Sequence, residues 1–241
     1  MGTQRIAVVT EGKSGLGKAI CARLAAEGCG VVAIHAPQDV EASGRLRDAG
    51  IAPYAADLSD YQSCETVVRK IVSDTGRIDI LVNNAFVDRA ATFAALSVED
   101  WSAIRRANID SVFNMSRQVL HGMLETGWGR IVNISSIAAL QGDPEHAGLA
   151  AAQSAVHGFT RALALEVASK GITVNTISHG YLNTGEEMSS GASQTEILSR
   201  IPVGRLGEPA EVAGLVAYLC SDVAGFLTGA NIIINGGQYM F

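Results

Sequence analysis

Apolar runs of strand length recur along the chain, separated by stretches in which apolar positions return every three or four residues. That alternation is expected of successive β-α-β units feeding a parallel sheet whose strands are covered on both faces. Seven strands are predicted: Arg5–Thr10, Gly30–His35, Ile51–Ala56, Ile78–Asn83, Arg130–Ser135, Ile172–Ser178 and Ile232–Asn235. Helices are predicted to open near Gly15, Asp60, Val98, Gly148 and Glu208. Ser97 ahead of Val98-Glu99-Asp100 and Pro209 after Glu208 supply helix-start chemistry. The connections are short except for Gly180 to about Ser199. That stretch is polar, rich in Gly and Ser, and follows a strand's carboxyl end, so it reads as a substrate lid. The pattern predicts one doubly wound α/β domain spanning residues 1–241.

Composition narrows this picture. Hydrophobic residues make up 48% of the 241 and charged ones 17%, enough apolar material for one well-buried core and against a disordered chain. A formal net charge of −6 removes any general attraction to nucleic acid or to an anionic membrane. Cys21, Cys29, Cys64 and Cys220 form no C-x-x-C pair, so neither a zinc site nor a disulfide framework is expected, and no metal is assigned. The chain enters the apolar Ile6-Ala7-Val8-Val9 with no leader-like segment, and no stretch stays apolar for about 18 residues. A cytoplasmic protein is the expectation.

Candidate chemistry begins where the first strand ends, at Thr10-Glu11-Gly12-Lys13-Ser14-Gly15-Leu16-Gly17. A glycine-rich turn between strand and helix lets the backbone approach a pyrophosphate and presents a helix N-terminus to it. Further along stand Asp57, Asn83-Asn84-Ala85, Asn108 and Asn133-Ile134-Ser135-Ser136, then Phe226-Leu227-Thr228-Gly229 and Asn235-Gly236-Gly237. Taken in this order, the set resembles the short-chain dehydrogenase/reductase family over essentially the full length. Gly127-Trp128-Gly129-Arg130 through Ser136 and Gly171-Ile172-Thr173-Val174-Asn175-Thr176 look most like acetoacetyl-CoA reductases and related 3-oxoacyl reductases.

The resemblance implies a Rossmann fold and an NAD(P) site involving Gly12, Gly15, Gly17, Asp57, Asn84 and Thr184. It also implies catalytic roles for Ser136, which would bind the substrate oxygen, and Asn108, which would position a helix and a relay water. Family members further use a Tyr as proton donor and, four residues on, a Lys that lowers the phenol's pKa. Here Leu149 stands thirteen residues past Ser136 and Gln153 four beyond it, and no Tyr occurs between Tyr61 and Tyr181. Neither side chain can give or tune a proton. Loss of a positioned acid costs about 10²–10⁴ in rate, so Ser136 and Asn108 read as vestigial.

The nucleotide site departs from the family as well. Glu11 replaces the first Gly of the turn, Phe86 the Gly after Asn-Asn-Ala, and His179 the Pro of a Pro-Gly step. A Glu11 carboxylate facing the pyrophosphate would repel it by about 3 kcal/mol at an effective dielectric near 20. Paired with Lys13, it would cost little. NAD(P) binding is therefore expected to be weakened, and Lys13 tilts the choice toward NADP.

Three functional readings follow. The leading one is a redox-impaired homologue that acts by binding an acyl-CoA-like ligand or as a partner subunit, in a homotetramer or a hetero-oligomer with an active family member. Ala150-Ala151-Ala152, Ala155 and Ile232-Ile233-Ile234 offer contact surfaces of the kind family members use to assemble. The second is an NAD(P)H-dependent oxidoreductase with an unusual proton donor. The third is lyase or hydrolase chemistry using Ser136 with His146 or His179, for which the spacing shows no acidic partner. His35, His121 and His157 are assigned to the surface or core.

Overall fold

The computed structural model describes residues 4–185 and 194–240. Its seven strands are β1 (Ile6–Thr10), β2 (Gly30–His35), β3 (Ala52–Ala55), β4 (Ile80–Asn83), β5 (Gly129–Ser136), β6 (Ile172–His179) and β7 (Asn231–Ile234). They form one parallel sheet in the order β3-β2-β1-β4-β5-β6-β7. This is the expected doubly wound α/β architecture, and its order reverses between β1 and β4. Strands on either side of such a reversal send their crossovers to opposite faces, leaving a crevice at their carboxyl ends.

Both faces are covered. On one, Ile20, Leu24, Val212 and Val216 of α1 (Gly15–Ala26) and α9 (Pro209–Cys220) pack on the sheet. On the other, α3 (Tyr61–Thr75), α5 (Ser111–Thr126) and α7 (Ala147–Val167) bury Ile71, Met115, Met123 and Ala164 against Leu81, Ile131 and Val174. Fully buried Ile, Leu and Met side chains of this kind contribute about 1.5–3 kcal/mol each.

Helix starts follow local chemistry. Ser14 accepts from the Gly17 amide at 3.0 Å to open α1, and Asp60 accepts from Ser63 at 2.7 Å to open α3. Ser97 does the same for α4 (Val98–Arg105), while Glu208 and Glu211 cap α9 reciprocally with Pro209 in its first turn. Helix α2 (Ala42–Asp48) was not anticipated, because Gly44 interrupts it and Glu41 makes no side-chain cap. The short α6 (Ala138–Gln141) and α8 (Gln194–Ser199) also went unpredicted. The central part of the expected lid, residues 186–193, lies outside the described residues.

Helix α4 runs into α5 through a wide π-helical turn, Arg106–Asp110, that carries Asn108. A buried polar chain crosses the sheet beneath the crevice. Asn83 Nδ2 donates to Asn133 Oδ1 at 2.8 Å, Asn133 Nδ2 donates to Thr160 Oγ1 at 2.9 Å, and Thr160 meets Thr176 at 2.7 Å. It ties β4, β5, α7 and β6 into one arrangement. Every member is hydrogen-bonded, which is the condition for polar groups to be tolerated inside a core.

Candidate active site

The crevice is a cleft of about 350 Å³, open above the carboxyl ends of β1, β4, β5 and β6. Ser14, Gly15 and Leu16 form one end, while Ser136, His146, Leu149, His179, Tyr181 and Thr184 line the rest.

The glycine turn is built by close packing. A Cβ on Gly12 would lie 2.6 Å from Ala33 Cβ, and one on Gly17 would lie 2.2 Å from the Glu11 carbonyl oxygen. Gly15 faces Thr184, whose Cβ would stand 2.9 Å from an added methyl. Asn84 braces the turn by donating to the Thr10 and Glu11 carbonyls at 3.2 and 3.3 Å, and Thr10 Oγ1 accepts from the Asn84 and Ala85 amides. The first amides of α1 have no intrahelical acceptor, and Ser14 takes only that of Gly17. Gly15 and Leu16 therefore offer N–H groups at the cleft.

Glu11 adopts a left-handed backbone at φ 50°, a conformation that costs a non-glycine residue about 1–2 kcal/mol. Its carboxylate meets the Ala36 amide and lies 3.8 Å from the Lys13 ammonium. Burial raises its pKa, against the pull of Lys13. The ammonium of Lys13 is shared with Asp39, which also meets Arg45 at 3.3 Å. The cation that favoured an additional ribose phosphate is thus already held between carboxylates.

Phe86 is half exposed and stands between two hollows. One is the cleft, and the other is a shallower recess lined by Ala36, Pro37, Asp57, Leu58, Ser59 and Arg106. Asp57 accepts from the Ser59 amide and hydroxyl at 2.9 and 2.7 Å. Of the residues expected to hold a dinucleotide, Gly15, Asn84 and Thr184 line the cleft and Asp57 the shallower recess, Gly12 and Gly17 are packed within the turn, and Phe86 and Glu11 border both hollows.

Leu149 is 4% exposed and lines the cleft. Gln153, one turn further along α7, is buried and donates through Nε2 to Asn108 Oδ1 at 3.1 Å, while its Oε1 has no partner among the described residues. Asn108 in turn donates to Val87 O at 2.7 Å and Ile104 O at 2.9 Å. Ser136 Oγ accepts from the Ala138 amide at 3.2 Å, leaving its own proton to donate.

His179 is the register partner of Ser136 across β5 and β6. Its Nδ1 donates to Gly180 O at 2.7 Å, which leaves a lone pair on Nε2, and burial holds its pKa below the ordinary histidine value. His146 opens α7 with Nε2 3.1 Å from Asp88 Oδ2 and Nδ1 2.8 Å from Pro144 O. Asp88, which also lines the cleft, escaped sequence reasoning because no spacing rule joins it to His146.

His157 lies below the cleft, against Ser135 Oγ at 2.9 Å and Ser178 Oγ at 3.3 Å. Desolvation lowers its pKa, as it does that of His179. The unfolded chain binds protons on these rings near pH 6.5, whereas the folded chain does so only at lower pH. Their stabilising contribution is therefore complete above about pH 6.5 and is lost as pH falls toward the folded values. Urea midpoints should fall between about pH 7 and pH 5, and His157→Gln should flatten that fall. Equal slopes in the two proteins would contradict the assignment.

Comparison with known proteins agrees with this geometry. A short-chain family model described as Enoyl-(Acyl carrier protein) reductase matches residues 11–238. The chain is 44% identical to an acetoacetyl-CoA reductase of Allochromatium vinosum, covering 98% of this chain and 99% of that protein. It is 45% identical to an acetoacetyl-CoA reductase of Rhizobium meliloti, over 98% of each. It is 37% identical to the 3-oxoacyl-[acyl-carrier-protein] reductase of Escherichia coli K12, again over 98% of each. The chain belongs to the short-chain dehydrogenase/reductase family, and within it to the acetoacetyl-CoA/3-oxoacyl reductase type. Among the described residues no helix is long and apolar enough to cross a membrane.

For such a family the implied cofactor is NAD(P), which supplies or accepts a hydride when bound. The glycine turn and the Gly15 and Leu16 amides fit its pyrophosphate. The surroundings of Lys13 do not fit an extra 2′-phosphate, since Glu11 and Asp39 already neutralise that cation.

Proposed function

We propose that this chain is a redox-impaired member of its family that holds an acyl-thioester-like ligand in the cleft and works by binding, or as a partner subunit. The observation that carries this reading is the state of α7. Leu149 fills the place where the resemblance puts the phenol, and the Gln153 amide is engaged by Asn108. Neither can supply or tune a proton there. The ligand class is suggested by the relatives' names, acetoacetyl-CoA reductase and 3-oxoacyl-[acyl-carrier-protein] reductase.

A partner role is supported by what α7 leaves outside. Ala151, Ala155 and Gly158 are exposed on its outer face, and Leu165 is 86% exposed. The apolar strand β7 ends the sheet only half-buried. These surfaces suit a tetramer or a mixed assembly with an active relative in the cytoplasm.

Calorimetric titration tests the reading. Butyryl-CoA is expected to bind, NADH and NADPH to bind weakly, and acetoacetyl-CoA reduction to stay far below an ordinary turnover of about 10 s⁻¹. Phe86→Gly should tighten NADH binding by about tenfold, since it joins the two hollows the ring divides. Ordinary turnover of acetoacetyl-CoA by the unaltered chain would overturn the proposal.

A further inference from the structure

Glu11 stands where the two hollows meet. It borders the cleft beside Ser14, Gly15 and Leu16, and it borders the recess that holds Asp57. Its carbonyl oxygen accepts from the Ser14 amide at 3.1 Å, so the residue belongs to the turn that presents the α1 amides. Its side chain is 24% exposed.

The charge on that side chain is poorly balanced. The Lys13 ammonium, 3.8 Å away, is hydrogen-bonded to Asp39. Arg45 reaches Asp39 at 3.3 Å but also Glu41 at 3.1 Å, so Glu11, Asp39 and Glu41 share two cations. His35 approaches Glu11 from β2, but its Nδ1 donates to Ala36 O at 3.0 Å and its Nε2 meets Ser43 Oγ at 2.8 Å, which leaves neither nitrogen for the carboxylate. Across the recess, Asp57 and Arg106 both engage Ser59. The loop after β4 brings the uncharged Asn84, Ala85 and Phe86, and beyond them Asp88, which is held by His146. Desolvation, aided by repulsion from Asp39, outweighs the pull of Lys13, His35 and the Ala36 amide and holds the Glu11 carboxyl above its ordinary pKa.

We propose that Glu11 is a proton-operated selector of what enters this cleft: ionised, it keeps out the pyrophosphate of a dinucleotide, and protonated, it lets the pyrophosphate in. The Gly15 and Leu16 amides at the start of α1 are available in either state, so the carboxyl decides. A dinucleotide laid from the recess to the cleft brings two diester charges past Glu11. Their repulsion disfavours the carboxylate, so the complex keeps the Glu11 proton to a higher pH than the free chain does. Affinity therefore rises as pH falls through that interval, and a proton is taken up as the nucleotide binds. The diester charges of the ligand itself do not titrate there.

A selector acts through charge, which separates it from a clamp in which Glu11 only ties the turn to the loop after β2 through the Ala36 amide. Glu11→Gln keeps an acceptor for that amide and the same non-glycine backbone, and removes the charge. The probe is NAD⁺, which is stable in acid, titrated calorimetrically at about pH 8 and about pH 5 in buffers of differing ionisation heat. For the unaltered chain the expected result is binding at least about tenfold tighter at the lower pH, with uptake of up to about one proton per nucleotide. Glu11→Gln is expected to bind at the higher pH as tightly as the unaltered chain does at the lower, with no proton uptake. Equal affinities of the two proteins at the higher pH overturn the inference. A pH dependence that persists in Glu11→Gln also overturns it and moves the titration to His35 or Asp39. Absence of binding by Glu11→Gln at both pH values overturns it too, because the charge is then not what keeps the nucleotide out. The acyl-thioester reading is independent of these outcomes and is judged by butyryl-CoA.

Discussion

Leu149→Tyr combined with Gln153→Lys is expected to raise NADH-dependent reduction of acetoacetyl-CoA by about 10² or more over the unaltered chain. Leu149 lines the cleft from the first turns of α7, so a phenol built there reaches the same space as Ser136. A lysine at 153 would donate to Asn108 Oδ1 where Gln153 does now, and would remove the orphaned Oε1. Its charge one helical turn from the phenol lowers the phenol's pKa from the usual value of about 10, which the tyrosine alone cannot achieve. The single change Leu149→Tyr should therefore recover much less. The measurement is NADH oxidation at saturating acetoacetyl-CoA, with nucleotide binding checked separately. If the double variant binds NADH and still gains nothing, the impairment lies elsewhere than on α7.

Asn133→Ala is expected to destabilise the fold by about 3 kcal/mol, because the residue is fully buried and both ends of its amide are hydrogen-bonded. It accepts from Asn83 and donates to Thr160, each across an interior contact under 3 Å. Truncation leaves two buried polar partners short of a bond and opens a cavity between β4, β5 and α7. The check is a lower urea midpoint with an unchanged slope. A loss below about 1 kcal/mol would mean that water takes the vacated place.

The parallel sheet was legible because its strands are near-continuous apolar runs bounded by turn residues. The predicted fourth strand began two residues early, at Ile78, because Asp79 reads as part of the run. In the fold, Asp79 is fully buried and accepts from the Ile6 amide and from Arg77, closing the strand's entry rather than extending it. Cap chemistry located α4 and α9 to within a residue, and the openings expected near Gly15 and Asp60 match α1 and α3 as closely, whereas α2 offered neither a cap nor an uninterrupted apolar face. Within the site, Ser136 and Leu149 could be placed by counting along one β-α unit. The direction of Glu11 could not, since it is decided by the Ala36 amide and Lys13 rather than by its neighbours in the turn. Asp88 was equally hidden, because its partner is delivered by the tertiary path of the chain.

The wide turn at Arg106–Asp110 also bears on how retained residues are to be understood. In an ordinary α-helix the Ile104 carbonyl would be met by the backbone N–H of residue 108. Here the side-chain amide of Asn108 donates to it, and the same amide reaches Val87 O on the loop after β4. Asn108 is thus the splice that lets one helix continue through an oversized turn. An asparagine at this place therefore has a structural task of its own in the helix, whatever else the cleft does.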